Sequence, residues 1–246
     1  MKKVFVLLMV AVMVMGTLSG CSSKEGTDKE SSNKKFKIGI VQPMDHPSLN
    51  TIKEAIVSEL EADGMKDQVE IVFENANGDA SLLPTIMQSL ISDGVDMIVP
   101  IATNTAQAAA AATTTIPIVF AAVSNPVEAG LVTSLDVTDA NITGVSDSIA
   151  IEDIFDLAVE LTPEVKTFGF VYNSSEINSS TGIERAKAYC DANGLAYKEA
   201  TIAGTADILQ LSHLHPQENM EYIFLANNHL DTIVQNQIHK SFLLEH

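Results

Sequence analysis

The chain alternates short, almost unbroken apolar runs with longer stretches whose apolar residues recur every three or four positions. The first pattern is that of strands buried on both faces of a parallel sheet, the second that of amphipathic helices. Residues 36–42 predict a strand, and a helix follows with Pro47 in its first turn, Leu49, Ile52, Ile56 and Leu60 on one face, and Gly64 at its end. A strand over 69–74 runs into the turn cluster Asn75-Ala76-Asn77-Gly78-Asp79. A helix over 82–92 then carries Leu83, Ile86 and Leu90 inward, with Gly94 just past its end.

The stretch 95–132 organises the rest. An apolar run over 95–101 ends in Ala102-Thr103-Asn104-Thr105, an alanine-rich helix runs from 106 to about 113, and a second apolar run covers 116–123. Strand, helix and strand of this size make the right-handed crossover unit of parallel sheets. A short helix over 128–134 and an extended segment over 141–145 complete a first lobe. After a crossing with a helix over 151–161, a second set begins: strand 167–172, polar turn 173–180, helix 182–192 closed by Gly194, strand 196–202, helix 205–211 and strand 222–225. The reading is an α/β chain of two lobes, 36–147 with five strands and 148–246 with three, each a mostly parallel sheet with helices.

In open α/β sheets ligands bind beyond the carboxyl ends of the strands. Four polar turns fall there: Thr103, Asn104 and Thr105; Ser124 and Asn125; Ser146 and Asp147; and the run from Asn173 through Glu176 to Ser179. Each alone is ordinary turn chemistry, but four in two lobes on either side of a crossing predict a ligand cleft between the lobes. The first also opens a helix, whose free N–H groups and positive dipole end favour a carboxylate.

Charge and the N-terminus narrow the classes. The formal net charge is −18, and removing residues 1–20 takes away Lys2 and Lys3 and no acid. No basic patch appears, so nucleic-acid binding is excluded. Residues 1–20 have two lysines, an apolar core and small residues, the layout of a signal peptide too short for a good membrane span. Residues 22–35 are polar and without periodicity, a flexible tether. Cys190 lies in a helical pattern and has no disulfide partner in the fold. Phosphate-cradling glycine loops, G-x-S-x-G, H-E-x-x-H and paired C-x-x-C are all absent. His213 and His215, two apart, would bind metal only with further ligands placed by the fold. No carboxylate pair stands out as a general acid and base, so no catalysis is expected.

Leu18-Ser19-Gly20-Cys21 resembles the lipobox of bacterial lipoproteins, which implies a lipid on Cys21. Further segments resemble the substrate-binding lipoproteins of ABC transporters, in the branch associated with tryptophan and tyrosine. They are His46-Pro47-Ser48-Leu49, Asn75-Ala76-Asn77-Gly78-Asp79, Ile101-Ala102-Thr103 with Ala106-Gln107-Ala108-Ala109, and Ile116-Pro117-Ile118-Val119-Phe120-Ala121-Ala122-Val123. Pro126-Val127-Glu128-Ala129-Gly130-Leu131-Val132, Asn141-Ile142-Thr143-Gly144-Val145-Ser146-Asp147 and Tyr172-Asn173-Ser174-Ser175-Glu176-Ile177-Asn178-Ser179 continue the series, which covers 36 to about 210.

The resemblance implies a two-lobed periplasmic-binding-protein type I fold that binds an amino acid and delivers it to a permease and its ATPase, with no cofactor and no metal. The protein would be held by its lipid at the outer face of the cytoplasmic membrane. It also implies roles: ligand carboxylate on the N–H groups of Thr103, Asn104 and Thr105, Asp147 near the ammonium, and Asn173, Glu176 and Ser179 from the second lobe. Ser124 and Asn125 complete the candidate set; Asn125 stands where the family pattern has an aspartate. Phe120 and Tyr172 read as strand core before apolar wall. The family's further strands are not evident after residue 211, so the second lobe is expected to be incomplete, as in a truncated or frame-shifted product. The alternatives are a ligand-sensing surface lipoprotein on the same fold and a truncated product that binds nothing.

Overall fold

A computed structural model describes residues 34–137, 140–148, 150–202 and, by their backbone, 222–225. The segments 1–33 and 203–221 and the last residues lie outside it, and with them the expected signal peptide, Cys21, the helix over 205–211, and His213 and His215.

Five strands form the first sheet: β1 Phe36–Gln42, β2 Val69–Asn75, β3 Met97–Pro100, β4 Ile118–Val123 and β5 Ile142–Ser146. Their order is β2-β1-β3-β4-β5 and every pairing is parallel. Parallel strands need long connections, and the helices α1 Pro47–Ala62, α2 Leu83–Ser92 (after a 3₁₀ turn, Ala80–Leu82) and α3 Thr103–Ala112 supply them. Strand residues alternate between the two faces. Ile38, Ile40, Val99 and Ile101 pack under α1 through Leu49, Ile52 and Ile56. Val41, Ile98, Ile118 and Phe120 pack on the other face with Leu83, Met87 and Leu90 of α2 and Ala106 and Ala109 of α3. Small side chains on α3 let it lie close to the sheet, and Gly39 leaves the room that Leu90 fills, since a Cβ there would sit 2.9 Å from Leu90 Cδ1.

The second sheet has, among the described residues, β6 Thr167–Asn173, β7 Ala196–Ile202 and β8 Tyr222–Leu225 in the order β7-β6-β8, again parallel. Helices α4 Ile151–Leu161 and α5 Ile177–Asn193 cover one face. Phe155 of α4 anchors this core, 4.8 Å from Phe168, 6.1 Å from Phe170 and 5.3 Å from Tyr189 between ring centroids. Cys190 is buried in it, and burial pushes its thiol up to about 11. The fold is thus the expected α/β one with two parallel sheets.

Three local expectations are corrected. No helix covers 128–134; instead one turn closes over Pro126–Leu131 through Ala129 N to Asn125 O (2.9 Å) and Leu131 N to Pro126 O (2.9 Å), and Gly130 at φ 72° stops it. Helix α3 starts at Thr103 rather than 106, so the polar cluster is its first turn. Helix α5 starts at Ile177 rather than Gly182, because Ser179 is buried beneath the turn before it instead of lying in a loop.

Candidate functional site

The carboxyl ends of β1, β2 and β3 and the amino end of α5 enclose a cleft of about 440 Å³, its open mouth included. Pro43, Met44, Gly78, Ala80, Leu83, Ala102, Thr103 and Asn104 come from the first lobe, Glu176 and Asn178 from the second. Of the nine residues expected from sequence, Thr103, Asn104 and Glu176 line this cleft.

The wall at β3 is made by a turn with unusual backbone. Ala102 has φ 74° and ψ 162°, a region that is essentially glycine's. Its N–H still donates to Ala121 O of the neighbouring strand end (2.9 Å), which ties the turn to β4. This sharp reversal starts α3 at once, with no side chain capping it. The first N–H groups of a helix have no partner inside it, so those of Thr103, Asn104 and Thr105 form an uncapped, electropositive end at the cleft. The Thr105 hydroxyl is not part of that surface: it is buried and turned to the carbonyls of Ile101 and Ala102 (2.8 Å to the latter).

Across the cleft, Asn104 Nδ2 donates to Glu176 Oε1 at 3.2 Å, a bond between the two lobes. Glu176 precedes α5 in extended backbone. Asn173 Nδ2 donates to the same oxygen (3.4 Å), and Ser179 Oγ to the other (3.2 Å). Burial pushes the Glu176 carboxyl up from its ordinary value, with the hydrogen bonds from Ser179, Asn104 and Asn173 pulling the other way. Asn173 and Ser179 therefore stand behind Glu176; Asn173 Oδ1 also accepts from Ser175 N and Oγ (3.0 and 2.7 Å) and builds the turn.

Ser124, Asn125 and Asp147 stand at the ends of β4 and β5, outside the lining. Asn125 Oδ1 accepts from Glu128 N (3.2 Å), a turn-capping role, and Ser146 Oγ donates to Ser124 O (3.3 Å). Asp147 is half-buried, and its Oδ1 is enclosed with no hydrogen-bond partner among the described residues. Burial pushes its carboxyl up, against a hydrogen bond with the Ser124 side chain. Phe120 and Tyr172 belong to the two cores.

Sequence reasoning missed the β1 and β2 ends as walls, although the turn cluster after β2 was visible. Gln42, almost wholly buried, shapes the first of them: its Nε2 donates to Met44 O and to Asn50 Oδ1 of α1 (both 3.0 Å), holding the Pro43-Met44 wall in place. Among the described residues, no group of His, Cys, Asp and Glu is placed to hold a metal ion, and no helix is long and apolar enough to cross a membrane.

Two parallel α/β lobes facing each other across a polar cleft define the periplasmic-binding-protein type I fold. The particular family follows from comparison: residues 37–240 match the family described as ABC transporter substrate binding protein, and the chain belongs to it. The tyrosine-binding protein of Clostridioides difficile is 37% identical over 217 residues, 85% of this chain and 63% of that one. The chain thus spans less than two thirds of the length of this curated relative. Among solved structures, the ABC domain of a Streptococcus pneumoniae protein in complex with L-Trp superposes with a TM-score of 0.78 at 36% identity, over 84% of this chain and 70% of that one. The ligand-free, open structure of a Clostridium difficile substrate-binding protein with adhesive properties gives a TM-score of 0.57 at 33% identity, over 84% and 72%.

Proposed function

We propose that this protein is the extracytoplasmic solute-binding component of an ABC importer that takes an amino acid, of the aromatic class, between its lobes. The observation that carries the reading is the contact between Asn104 and Glu176 over an uncapped helix end in a cleft lined by both lobes. At similar identity and coverage, the chain superposes better on the tryptophan complex than on the ligand-free, open structure. Both observations fit a closed, ligand-accepting arrangement.

In this reading the ligand carboxylate sits on the N–H groups of Thr103, Asn104 and Thr105. The cationic end lies toward Asp147, whose enclosed oxygen has no hydrogen-bond partner among the described residues; a buried charge needs such a partner. Met44 and Leu83 supply apolar wall. Closure of the lobes by hinge motion presents a new surface to the permease and its ATPase. Cys21 carries lipid and, through the polar tether, holds the protein at the outer face of the cytoplasmic membrane; Cys21→Ala then releases it into the soluble fraction, and its retention on the membrane would contradict the anchor.

A thermal-shift screen against the amino acids tests the binding reading, because a ligand that binds only the folded state raises its stability. Tyrosine or tryptophan is expected to give the largest shift. No shift with any amino acid would refute it.

A further inference from the structure

Gln42 closes β1, and only 1% of it is exposed. Side chains alternate along a strand, so Gln42 shares with Ile38 and Ile40 the face under α1, outside the cleft lining. There its Nε2 donates to Met44 O and to Asn50 Oδ1 of α1 (both 3.0 Å). Asn50 Nδ2 donates in turn to Asp45 Oδ1 (2.7 Å). Met44 O can only accept, so Gln42 must present its NH₂ to it, and Asn50 its oxygen to Gln42. Residues 44 and 45 are thus gripped from behind by β1 and α1. Strand order β2-β1-β3 puts this turn between the one that carries Ala80 and Leu83 and the start of α3. On the β2 side the backbone ties it, Ala76 N donating to Gln42 O (3.1 Å) and Gly78 N to Pro43 O (2.9 Å). Met44 packs against the core under α1 and also lines the cleft. Its side chain is unbranched and adaptable, so the place of its backbone decides the place of the wall.

We propose that Gln42 is a positioning residue for the ligand's side chain. By holding Met44 O it sets where the Met44 wall stands, and with it the room left for that side chain. A large flat side chain needs the wall at contact distance, since a gap of about 0.5–1 Å already forfeits a quarter to a half of each contact's attraction. Gln42 itself touches no ligand and acts through Met44. This rests on the reading of the cleft as an amino-acid site.

The test is calorimetry with L-tyrosine and L-tryptophan on the wild type, Q42M, M44A and the double variant. Methionine matches glutamine in length but donates nothing, so Q42M fills the same space and releases Met44 O. It is expected to weaken both ligands about tenfold, the worth of one hydrogen bond. M44A removes the wall itself. In that background Q42M should change either affinity by less than about twofold, because the two residues act through one contact. A merely structural role for Gln42 would instead multiply the two losses. Asn50→Ala, partly exposed on α1 and outside the lining, loosens the same grip without touching the core. It should weaken both ligands about threefold and again add less than about twofold to M44A, which decides the matter where Q42M does not fold. Multiplied losses in either double variant, or undiminished binding by both Q42M and N50A, would overturn the proposal. A wild type that binds no amino acid at all is a different result: it removes the reading of the cleft and the proposal with it.

Discussion

Ala102 shows most directly how this site is built against local preference. A residue in a glycine-only region of backbone space costs about 1–3 kcal/mol, and Ala102 persists there because Ala121 O holds its N–H and α3 begins immediately after it. Ala102→Gly should therefore raise stability by about 1 kcal/mol once glycine's larger unfolded-state entropy is set against the relieved strain; an unchanged or lower melting temperature would mean the turn is not strained. Asp147 makes a second case. Burial raises its carboxyl above the ordinary 3.8, so the folded state takes up a proton more readily than the unfolded one. Such a group costs stability when ionised: the folded protein is favoured below 3.8 and loses stability as pH rises through the raised value. Asp147→Asn is accordingly expected to melt higher than the wild type at neutral pH without ligand, and no differently below the ordinary carboxylate value. A lower melting point at neutral pH would show that Asp147 has a stabilising partner. These features were only partly legible in the chain. Polar residues at strand ends announce a cleft, but whether Asn125 caps a turn or Glu176 reaches the other lobe depends on side-chain directions set by tertiary contacts.

Secondary structure was more legible, because strands covered on both faces and helices with one buried stripe leave different periods in the sequence. The late starts expected for α3 and α5 share one cause: short polar residues favour turns in isolation, and packing overrode them. Asn178, Ser179, Ser180 and Thr181 look like loop, yet they form the first turns of α5, where Ser179 is buried and bonded to Glu176. Gly144 shows how strand spacing sets the site's outer wall. It pairs with Phe120, and a Cβ there would collide with the Phe120 carbonyl oxygen and ring. Gly144→Ala should thus displace β5, which leads directly to Asp147, and destabilise the fold by about 1–3 kcal/mol; denaturant unfolding with an unchanged midpoint would contradict it. Phe155→Ala removes the ring shared by α4, β6 and α5 and should cost about 3–5 kcal/mol. Hydrogen exchange is expected to show that loss chiefly in α4, α5, β6 and β7, with β1 to β4 protected as before; an even loss across both sheets would mean the lobes unfold as one unit.

At the scale of the molecule, the side-chain bond from Asn104 to Glu176 reaches across the cleft between the two sheets. One hydrogen bond is worth about 0.5–1.5 kcal/mol, and in the proposed reading a ligand held by both lobes adds its contacts to closure. In the proposed reading this arrangement is the closed one, and a ligand-free population that opens is expected. The distance between spin labels on the two lobes measures this directly. Positions 59 on α1 and 191 on α5 are exposed, Cys190 is buried with its thiol pushed up to about 11 and stays unlabelled, and Cys21→Ala removes the other cysteine of the sequence. The account predicts a broad, longer distance distribution without ligand that collapses on adding L-tyrosine or L-tryptophan to one short distance matching the closed structure. An identical distribution with and without either amino acid would contradict it.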